Sequence, residues 1–351
     1  MSQEKRKFPL KELLGGLYIA LTIGVVIILG INNQSFSDLF ASFSSFDPFW
    51  SVMVVGCMVA YYLLENYTLW YYLKAENQKL GFFTALKTTM IGQYYCALTP
   101  FASGGQPVQV YYLHKAGASV GTATSAMTVK LITFNVAMVF TSIVGVVYNF
   151  QYFANSVTVA LPFAIFGILA NLVIVVLFWM MFFNQAFCHK FVHGIIGLLS
   201  KLRLVKNIQA TLEKTDGVLA EYFVSVKFIK KNPRKMLWLF VATWVQTLTM
   251  MSVSYCIYRA FGFTQQSPIL FITLQYVLFI AVSYVPLPGA SGAQEFGFMQ
   301  IFGNILPQDK IFTVMMIWRF FTYIVSIIAG GLIVVWDEIK RLLFRKRPRA
   351  S

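Results

Sequence analysis

Two stretches of sequence decide the fold of this chain: P-F-A-S-G-G-Q at residues 100–106 and P-G-A-S-G-A-Q at residues 288–294. They lie 188 residues apart and are identical at five of seven positions. Each follows a short apolar segment and precedes a second short one, which leads to a long apolar run. The same spacing relates Trp50 to Trp238, each at the head of an earlier long run. The pattern predicts two copies of one unit, in which a helical hairpin broken at the motif lies between two spanning helices.

The composition indicates an integral membrane protein. The chain has 351 residues, of which 58% are hydrophobic and 12% charged, and its mean hydropathy is +0.67. A soluble protein of this length would not carry six apolar runs long enough to span a bilayer. The formal charge is +15, but the basic residues lie between the apolar runs. We therefore expect anionic lipids of the inner leaflet, and no nucleic acid, as their partners.

We predict an all-α integral membrane protein with about six spanning helices and two re-entrant, broken helical hairpins in a single transmembrane domain. The predicted spans are residues 13–31, 49–73, 122–148, 157–183, 236–260 and 311–336, and the hairpins are residues 81–116 and 268–304. Residues 149–156 read as a short uncharged loop. Repeat one covers residues 49–148, and repeat two covers residues 236–336.

Residues 184–235 form the longest polar stretch and link the two repeats. Apolar residues recur in this linker at helical spacing, with lysines and arginines among them. Such a basic amphipathic pattern is typical of a helix that lies on a membrane surface. A linker helix packed beneath the bundle fits the pattern equally well.

The positive charges predict how the chain is oriented in the membrane. Twenty-four of the 28 lysines and arginines lie in residues 1–12, 74–118, 184–236 and 337–351. These segments all fall on one face if each hairpin enters and leaves on the same side. Positive charge marks the cytoplasmic side, so we expect both termini there, in a multi-pass protein of a bacterial plasma membrane. The two repeats are then inverted relative to each other, as in alternating-access transporters.

Each motif has the S-x-x-Q form of a capping box, in which the serine caps a half-helix and the glutamine reaches back to its backbone. The N-terminus of a half-helix attracts anions, and a phosphate fits such a site. The alternative is a structural helix break that binds no ligand. The candidate binding residues of the motifs are Ser103, Gly104, Gly105, Gln106, Ser291, Gly292 and Gln294.

Four ionisable residues lie within apolar segments: Glu65, Lys130, Glu295 and Arg319. Ionisable residues at such depth are functional candidates because they are costly in hydrocarbon. Lys130 and Arg319 occupy near-equivalent positions of the two repeats and suit the phosphodiester of a lipid head group. Glu295 suits a cationic part of the substrate. The alternative is that Glu295 pairs with Arg319, or Glu65 with Lys130, only to hold helices together.

The sequence predicts no metal, cofactor or disulfide. His189 and His193 lie four apart in a helical pattern, but no third ligand follows nearby, so we interpret them as interfacial histidines. The four cysteines are scattered and form no C-x-x-C motif. No nucleotide-binding or hydrolase motif occurs in a suitable context, so we expect no catalytic residues.

Two signatures resemble a known family. T-P-x-x-x-G-G-x-P begins at Thr99 and is followed by Y-Y-L-x-K-x-G from Tyr111; the second signature, P-L-P-G-A-S-G-A-Q-E, occupies residues 286–295. They are similar to those of the flippase-like transmembrane domain of lysylphosphatidylglycerol synthase, the multiple peptide resistance factor. In this resemblance Glu295 matches the family's motif glutamate, whereas Ser291 stands where a glycine is usual.

The resemblance implies a function in lipid transport and antibiotic resistance. Full-length members move lysylphosphatidylglycerol to the outer leaflet, and a separate soluble domain synthesises it. This chain ends shortly after the sixth span, so we expect no synthase domain and no lysyltransferase activity.

Our leading hypothesis is a flippase for an anionic or aminoacylated phospholipid, moving it from the inner to the outer leaflet. The alternatives are a carrier for polyprenyl phosphate or a glycolipid, the lysyltransferase of the family name, and a membrane scaffold for a partner enzyme. A homo-oligomer is compatible with the sequence.

Overall fold

The computed structural model describes residues 46–156, 160–202 and 207–344, and all regular structure within them is helical. The predicted span at residues 13–31, the basic N-terminal segment and the end of the basic C-terminal tail lie outside these described residues. The helices are α1 (Pro48–Ala75), α2 (Phe82–Leu98), α3 (Gly105–Lys115), α4 (Val120–Tyr148), α5 (Phe150–Ser156), α6 (Ala160–Phe183), α7 (Gln185–Lys201), α8 (Ile208–Lys230), α9 (Pro233–Ala260), α10 (Pro268–Val282), α11 (Ala293–Phe302), α12 (Ile311–Arg319) and α13 (Val325–Phe344).

Five helical segments of the described chain are long and apolar enough to cross a membrane. They are Pro48–Ala75, Val120–Tyr148, Ile165–Phe183, Pro233–Ala260 and Ile311–Asp337. The last of these combines α12 with the first part of α13, and a π-helical turn at Phe320–Ile324 joins the two helices. These segments coincide with the five predicted spans that fall on described residues, so the prediction of an all-α membrane protein is confirmed.

Local chemistry sets where the spanning helices begin. Asp47 caps α1, because its Oδ1 accepts a hydrogen bond from the Phe49 backbone N–H at 2.8 Å, and Pro48 occupies the first helical position. Ser119 caps α4 in the same way, accepting from the Thr122 N–H at 3.1 Å. Side-chain oxygens at these positions satisfy backbone donors that have no partner within the helix.

The two motifs fold alike. In the first hairpin α2 ends before a 3₁₀ turn at Pro100–Ala102 and α3 follows; in the second, α10 precedes a turn at Pro288–Ala290 and α11 follows. The arms have 17 and 11 residues in the first hairpin and 15 and 10 in the second. At 1.5 Å per residue they are about 15–26 Å long, less than the ~30 Å of a hydrocarbon core. These lengths fit re-entrant hairpins, and the inverted orientation of the repeats stays a prediction.

The elements of the two repeats pack directly against one another. Helix α1 of repeat one lies along α9 of repeat two, α13 lies along α2, and the two 3₁₀ turns contact each other. Close approach between α13 and α2 depends on Gly330, where a Cβ atom would lie 2.5 Å from the Met90 carbonyl oxygen. Small residues at such crossings let helices approach closely in a membrane. The packing brings both motifs to one place.

The described part of the linker contains two helices that differ in their environment. On α8, Tyr222 and Val226 are buried, and the helix packs on α4. On α7, Ile195 and Leu198 are exposed. Helix α8 thus packs against the bundle, as in one of the two predicted arrangements, whereas α7 presents apolar side chains outward. A position of the linker on a membrane surface stays a prediction.

The prediction of a loop at residues 149–156 was wrong, because most of this stretch forms α5. Phe153 is fully buried in the described structure. Burial of this side chain anchors a short helix that the lack of charge alone did not indicate.

Candidate functional site

The first ion pair of the site joins α1 to α4. Lys130 Nζ lies 2.5 Å from Glu65 Oε1 and 3.4 Å from Gln109 Oε1 of α3. Glu65 is only 2% exposed, and its second oxygen accepts a hydrogen bond from Gln93 Nε2 at 2.6 Å. The Gln93 amide also donates to the Tyr61 hydroxyl at 3.1 Å. This network connects four helices of repeat one around a single positive and a single negative charge.

The second ion pair lies at the second motif. Arg319 Nε donates to Glu295 Oε1 at 2.6 Å, while its Nη2 donates to the Gly289 carbonyl at 3.2 Å and to Ser291 Oγ at 3.4 Å. The guanidinium group also lies over the ring of Tyr323, 4.4 Å from its centroid. Arg319 is 8% exposed. The planar guanidinium group can serve several acceptors at once and thereby holds the motif loop in place.

Both pairings that the sequence analysis named as an alternative are present. Glu295 pairs with Arg319 and Glu65 with Lys130. Pairing offsets much of the cost of placing charge in the membrane, because each ion gains a charge-assisted hydrogen bond in place of water. The described site thus holds two cations and two carboxylates, and each cation contacts its own hairpin.

The predicted capping boxes are wrong in detail. Ser103 Oγ donates back to the Pro100 carbonyl at 2.9 Å, and Ser291 Oγ donates to the Pro288 carbonyl at 3.0 Å. The helix caps are instead Gly104 and Gly292, one residue later in each motif. The proline-initiated 3₁₀ turn places each serine hydroxyl beside the carbonyl three residues earlier, where it has a nearer partner than the helix N-terminus. Neither Gln106 nor Gln294 therefore completes a serine capping box.

Glu295 caps the second half-helix. Its Oε2 accepts a hydrogen bond from the Gly292 N–H at 2.6 Å while its Oε1 pairs with Arg319. Gly292 has a φ of 85°, a left-handed conformation that glycine adopts at little cost. The anion expected at this helix N-terminus is thus the protein's own carboxylate.

The first motif has no carboxylate at the equivalent position, where Pro107 stands. The Gly104 N–H donates instead to Thr99 Oγ1 at 2.8 Å. The next residue, Gly105, is buried. A Cβ atom at this position would lie 2.7 Å from the Gly92 carbonyl oxygen of α2. Gly105 therefore lets the two arms of the hairpin pack closely.

The two motifs meet through Tyr323. Its hydroxyl donates to the Ala97 carbonyl at the end of α2 at 3.1 Å, and its ring lies under Arg319. Tyr323 thus connects the second ion pair to the first hairpin. Gln294 is buried nearby in α11, and its Oε1 has no hydrogen-bond partner among the described residues.

Sequence reasoning missed four polar side chains of the site: Tyr61, Gln93, Gln109 and Tyr323. A polar side chain in an apolar segment is a recognisable signal, because an unsatisfied polar group is costly in a membrane. Many tyrosines and glutamines of this chain share that signal, so it could not single out these four.

The family profile described as "Lysylphosphatidylglycerol synthase TM region" matches residues 14–330. The chain belongs to this family. A UPF0104 membrane protein of Archaeoglobus fulgidus is 25% identical over 301 residues, which cover 83% of this chain and 88% of that relative. The resemblance found in the two signatures is therefore confirmed. The matched range contains both motifs and both ion pairs. Together with the apolar helices, the match shows that the chain is a multi-pass membrane protein.

Proposed function

We propose that this protein is a lipid flippase that moves an anionic or aminoacylated phospholipid, of the lysylphosphatidylglycerol type, from the inner to the outer leaflet of a plasma membrane. The observation that carries the proposal is that two ion pairs lie within apolar segments, each beside one of two broken hairpins whose turns contact each other. Charges at this depth with their own carboxylate partners can exchange those partners for a charged head group.

Arg319 is the better phosphate ligand of the two cations. Its guanidinium already binds a carboxylate and two loop oxygens, and a phosphodiester offers oxygen acceptors of the same kind. When a phosphate replaces Glu295 at Arg319, one anion replaces another, so no cation is left without a partner. Glu295 is then free to bind the ammonium group of an aminoacylated lipid.

Lys130 provides a second positive charge in repeat one. Its ammonium is a compact point charge with three donors, and it is bound to Glu65 and Gln109. Gln294 adds an unpaired buried acceptor, to which a hydroxyl or ammonium of the head group could donate. These groups together suit a zwitterionic or anionic head group better than an apolar ligand.

An apolar cavity of about 520 Å³ adds support for a lipid substrate. Its lining includes Ile132 and Val136 of α4, Phe182 of α6, Phe240 of α9 and Lys230 of α8. Apolar walls accommodate acyl chains, while a lysine beside them attracts a phosphate. The head group would enter the protein, while the acyl chains would lie along these apolar walls and in the adjoining bilayer.

The test is lipid translocation in proteoliposomes. Head-group-labelled phosphatidylglycerol, its lysyl derivative and a labelled polyprenyl phosphate are compared, with the leaflet read by a quencher added outside. We expect wild-type protein to accelerate flipping of at least one phospholipid and Arg319→Ala to abolish it. Arg259→Ala is the matched control, because Arg259 stacks on Trp50, away from the motifs.

Three results would contradict the proposal. Absence of flipping of every phospholipid would remove the flippase function, and transport of polyprenyl phosphate alone would reassign the substrate. A parallel incubation with lysyl-tRNA and phosphatidylglycerol is expected to yield no lysyl lipid, and formation of that lipid would show a lysyltransferase instead.

A further inference from the structure

A cluster of three metal-ligating side chains lies in the linker, away from the two motifs. His189 and His193 are four apart on α7 and so share one face of the helix. The structure supplies the third group that sequence reasoning did not find, Asp216 of α8, 23 residues beyond His193 in the chain. Within the described residues, the ligand atoms of these three side chains lie within 4.8 Å of one another.

The distances are close to those of a metal site. Asp216 Oδ1 lies 2.7 Å from His193 Nε2 and 3.2 Å from His189 Nδ1. Tetrahedral Zn²⁺ binds histidine nitrogen and carboxylate oxygen at about 2.0–2.2 Å, which separates neighbouring ligand atoms by about 3.3 Å. All three ligand atoms lie within 4.8 Å of one another, so small rearrangements of these partly exposed side chains would bring them to the separations that zinc needs.

We propose that His189, His193 and Asp216 bind a divalent transition metal of the zinc class. Two imidazole nitrogens and one carboxylate favour Zn²⁺ or Co²⁺ over Mg²⁺ and Ca²⁺, which prefer oxygen ligands. The three side chains are 30%, 37% and 44% exposed, so an ion can reach them and water can complete the coordination. His189 also stacks on Phe223, which restrains the orientation of its ring.

The site would join two helices that the chain itself connects only through residues 202–207. Helix α8 is in turn bonded to α4: Glu221 Oε2 accepts from the Gly121 N–H at 3.1 Å, and the hydroxyls of Ser225 and Thr122 lie 3.2 Å apart. Metal binding therefore fixes α7 relative to the helix that carries Lys130. This inference does not depend on the transported substrate.

Metal binding by the purified full-length protein tests the proposal. After tag removal and treatment with EDTA, the protein is titrated with Zn²⁺, and bound metal is counted by mass spectrometry after gel filtration; Co²⁺ is followed by its visible absorption. We expect one ion per chain. We also expect His193→Ala and Asp216→Asn each to weaken binding at least about tenfold, since the first removes one of three ligands and the second replaces the carboxylate by a neutral amide.

His114→Ala is the matched control, because the chain has three histidines and His114 lies on α3, where its ring bonds to the Ala118 carbonyl. That variant should bind metal like wild type. Absence of binding by wild type, or equal binding by Asp216→Asn, would overturn the proposal. Folding is checked separately by thermal unfolding: Zn²⁺ should raise the Tm of wild type and of His114→Ala but not that of Asp216→Asn.

Discussion

At the scale of single residues, the carboxylate of Glu295 both caps a helix and neutralises a cation. One oxygen of its carboxylate caps the half-helix at Gly292, and the other pairs with Arg319. Glu65 has a comparable double role, since it binds Lys130 and Gln93. Each carboxylate thus fixes a hairpin and neutralises a cation, and substitutions can separate the two roles.

Replacing both charged residues of the Glu295–Arg319 pair by neutral ones distinguishes a role in lipid transport from a role in stability alone. Glu295→Gln/Arg319→Gln leaves no lone charge, so its Tm should lie above that of Arg319→Gln alone. If substrate phosphate binds Arg319, the double variant nevertheless stays inactive in lipid translocation. Recovery of transport in the double variant would show that the pair only holds helices together.

Removal of Lys130 should destabilise the protein strongly. Lys130→Gln leaves the carboxylate of Glu65 buried without its cation, a loss of about 3–5 kcal/mol for a buried pair. Lys87→Gln is the control, because Lys87 pairs with Asp337 through a side chain that is 40% exposed and such pairs contribute about 0–1 kcal/mol. Thermal unfolding in detergent compares the two, and equal Tm values would contradict the structural role of Glu65–Lys130.

At the scale of elements, the hairpins keep their shape through turn chemistry and close helix contacts. The 3₁₀ turns at Pro100–Ala102 and Pro288–Ala290 have the same hydrogen bond from a serine hydroxyl to a proline carbonyl. Both turns contain residues with positive φ, Phe101 and Gly289 among them. Helix α13 then lies close to α2 through Gly330. The arms are thereby held at fixed positions relative to the long helices.

Gly330→Ala tests the contact between α13 and α2. The new methyl group would collide with the Met90 backbone, and overpacking costs about 1–3 kcal/mol. We expect a Tm lower by a few degrees. Gly56→Ala is the control, because no atom lies within 4 Å of its Cβ position; it should leave the Tm unchanged or raise it slightly. Equal Tm values for the two variants would contradict the proposed role of Gly330.

At the scale of the whole molecule, two similarly ordered sets of helices pack against each other around the motifs. Helices α1 to α4 and helices α9 to α13 follow the same order, in which a long helix, a broken hairpin and a second long helical segment succeed one another. Rocking of one set against the other could expose the ion pairs to either leaflet in turn, as alternating access requires. That mechanism depends on the inverted orientation expected from the distribution of lysine and arginine.

Cysteine labelling tests the orientation. In a variant without the four native cysteines, Lys214→Cys on α8 should react only from the cytoplasmic side, and Gln151→Cys on α5 only from outside. Both positions are exposed in the described structure, so access is limited by the membrane alone. Labelling of both positions from the same side would exclude the inverted arrangement.

The sequence by itself determined the membrane class, the family, the positions of the five spanning helices that fall on described residues, and the two broken hairpins. These depend on local hydropathy and on proline, glycine and serine at fixed spacing, which act over a few residues. It also singled out the four charged residues, because any charge in an apolar run is conspicuous. Only the tertiary structure decided that both ion pairs form, that Glu295 rather than Ser291 caps α11, and that Asp216 joins His189 and His193. The ion pairs and the contacts of Asp216 link residues 23 to 65 positions apart, so they depend on how helices pack, which no local pattern specifies. The cap of α11 is local, but it follows from the 3₁₀ turn, which places the Pro288 carbonyl beside the Ser291 hydroxyl.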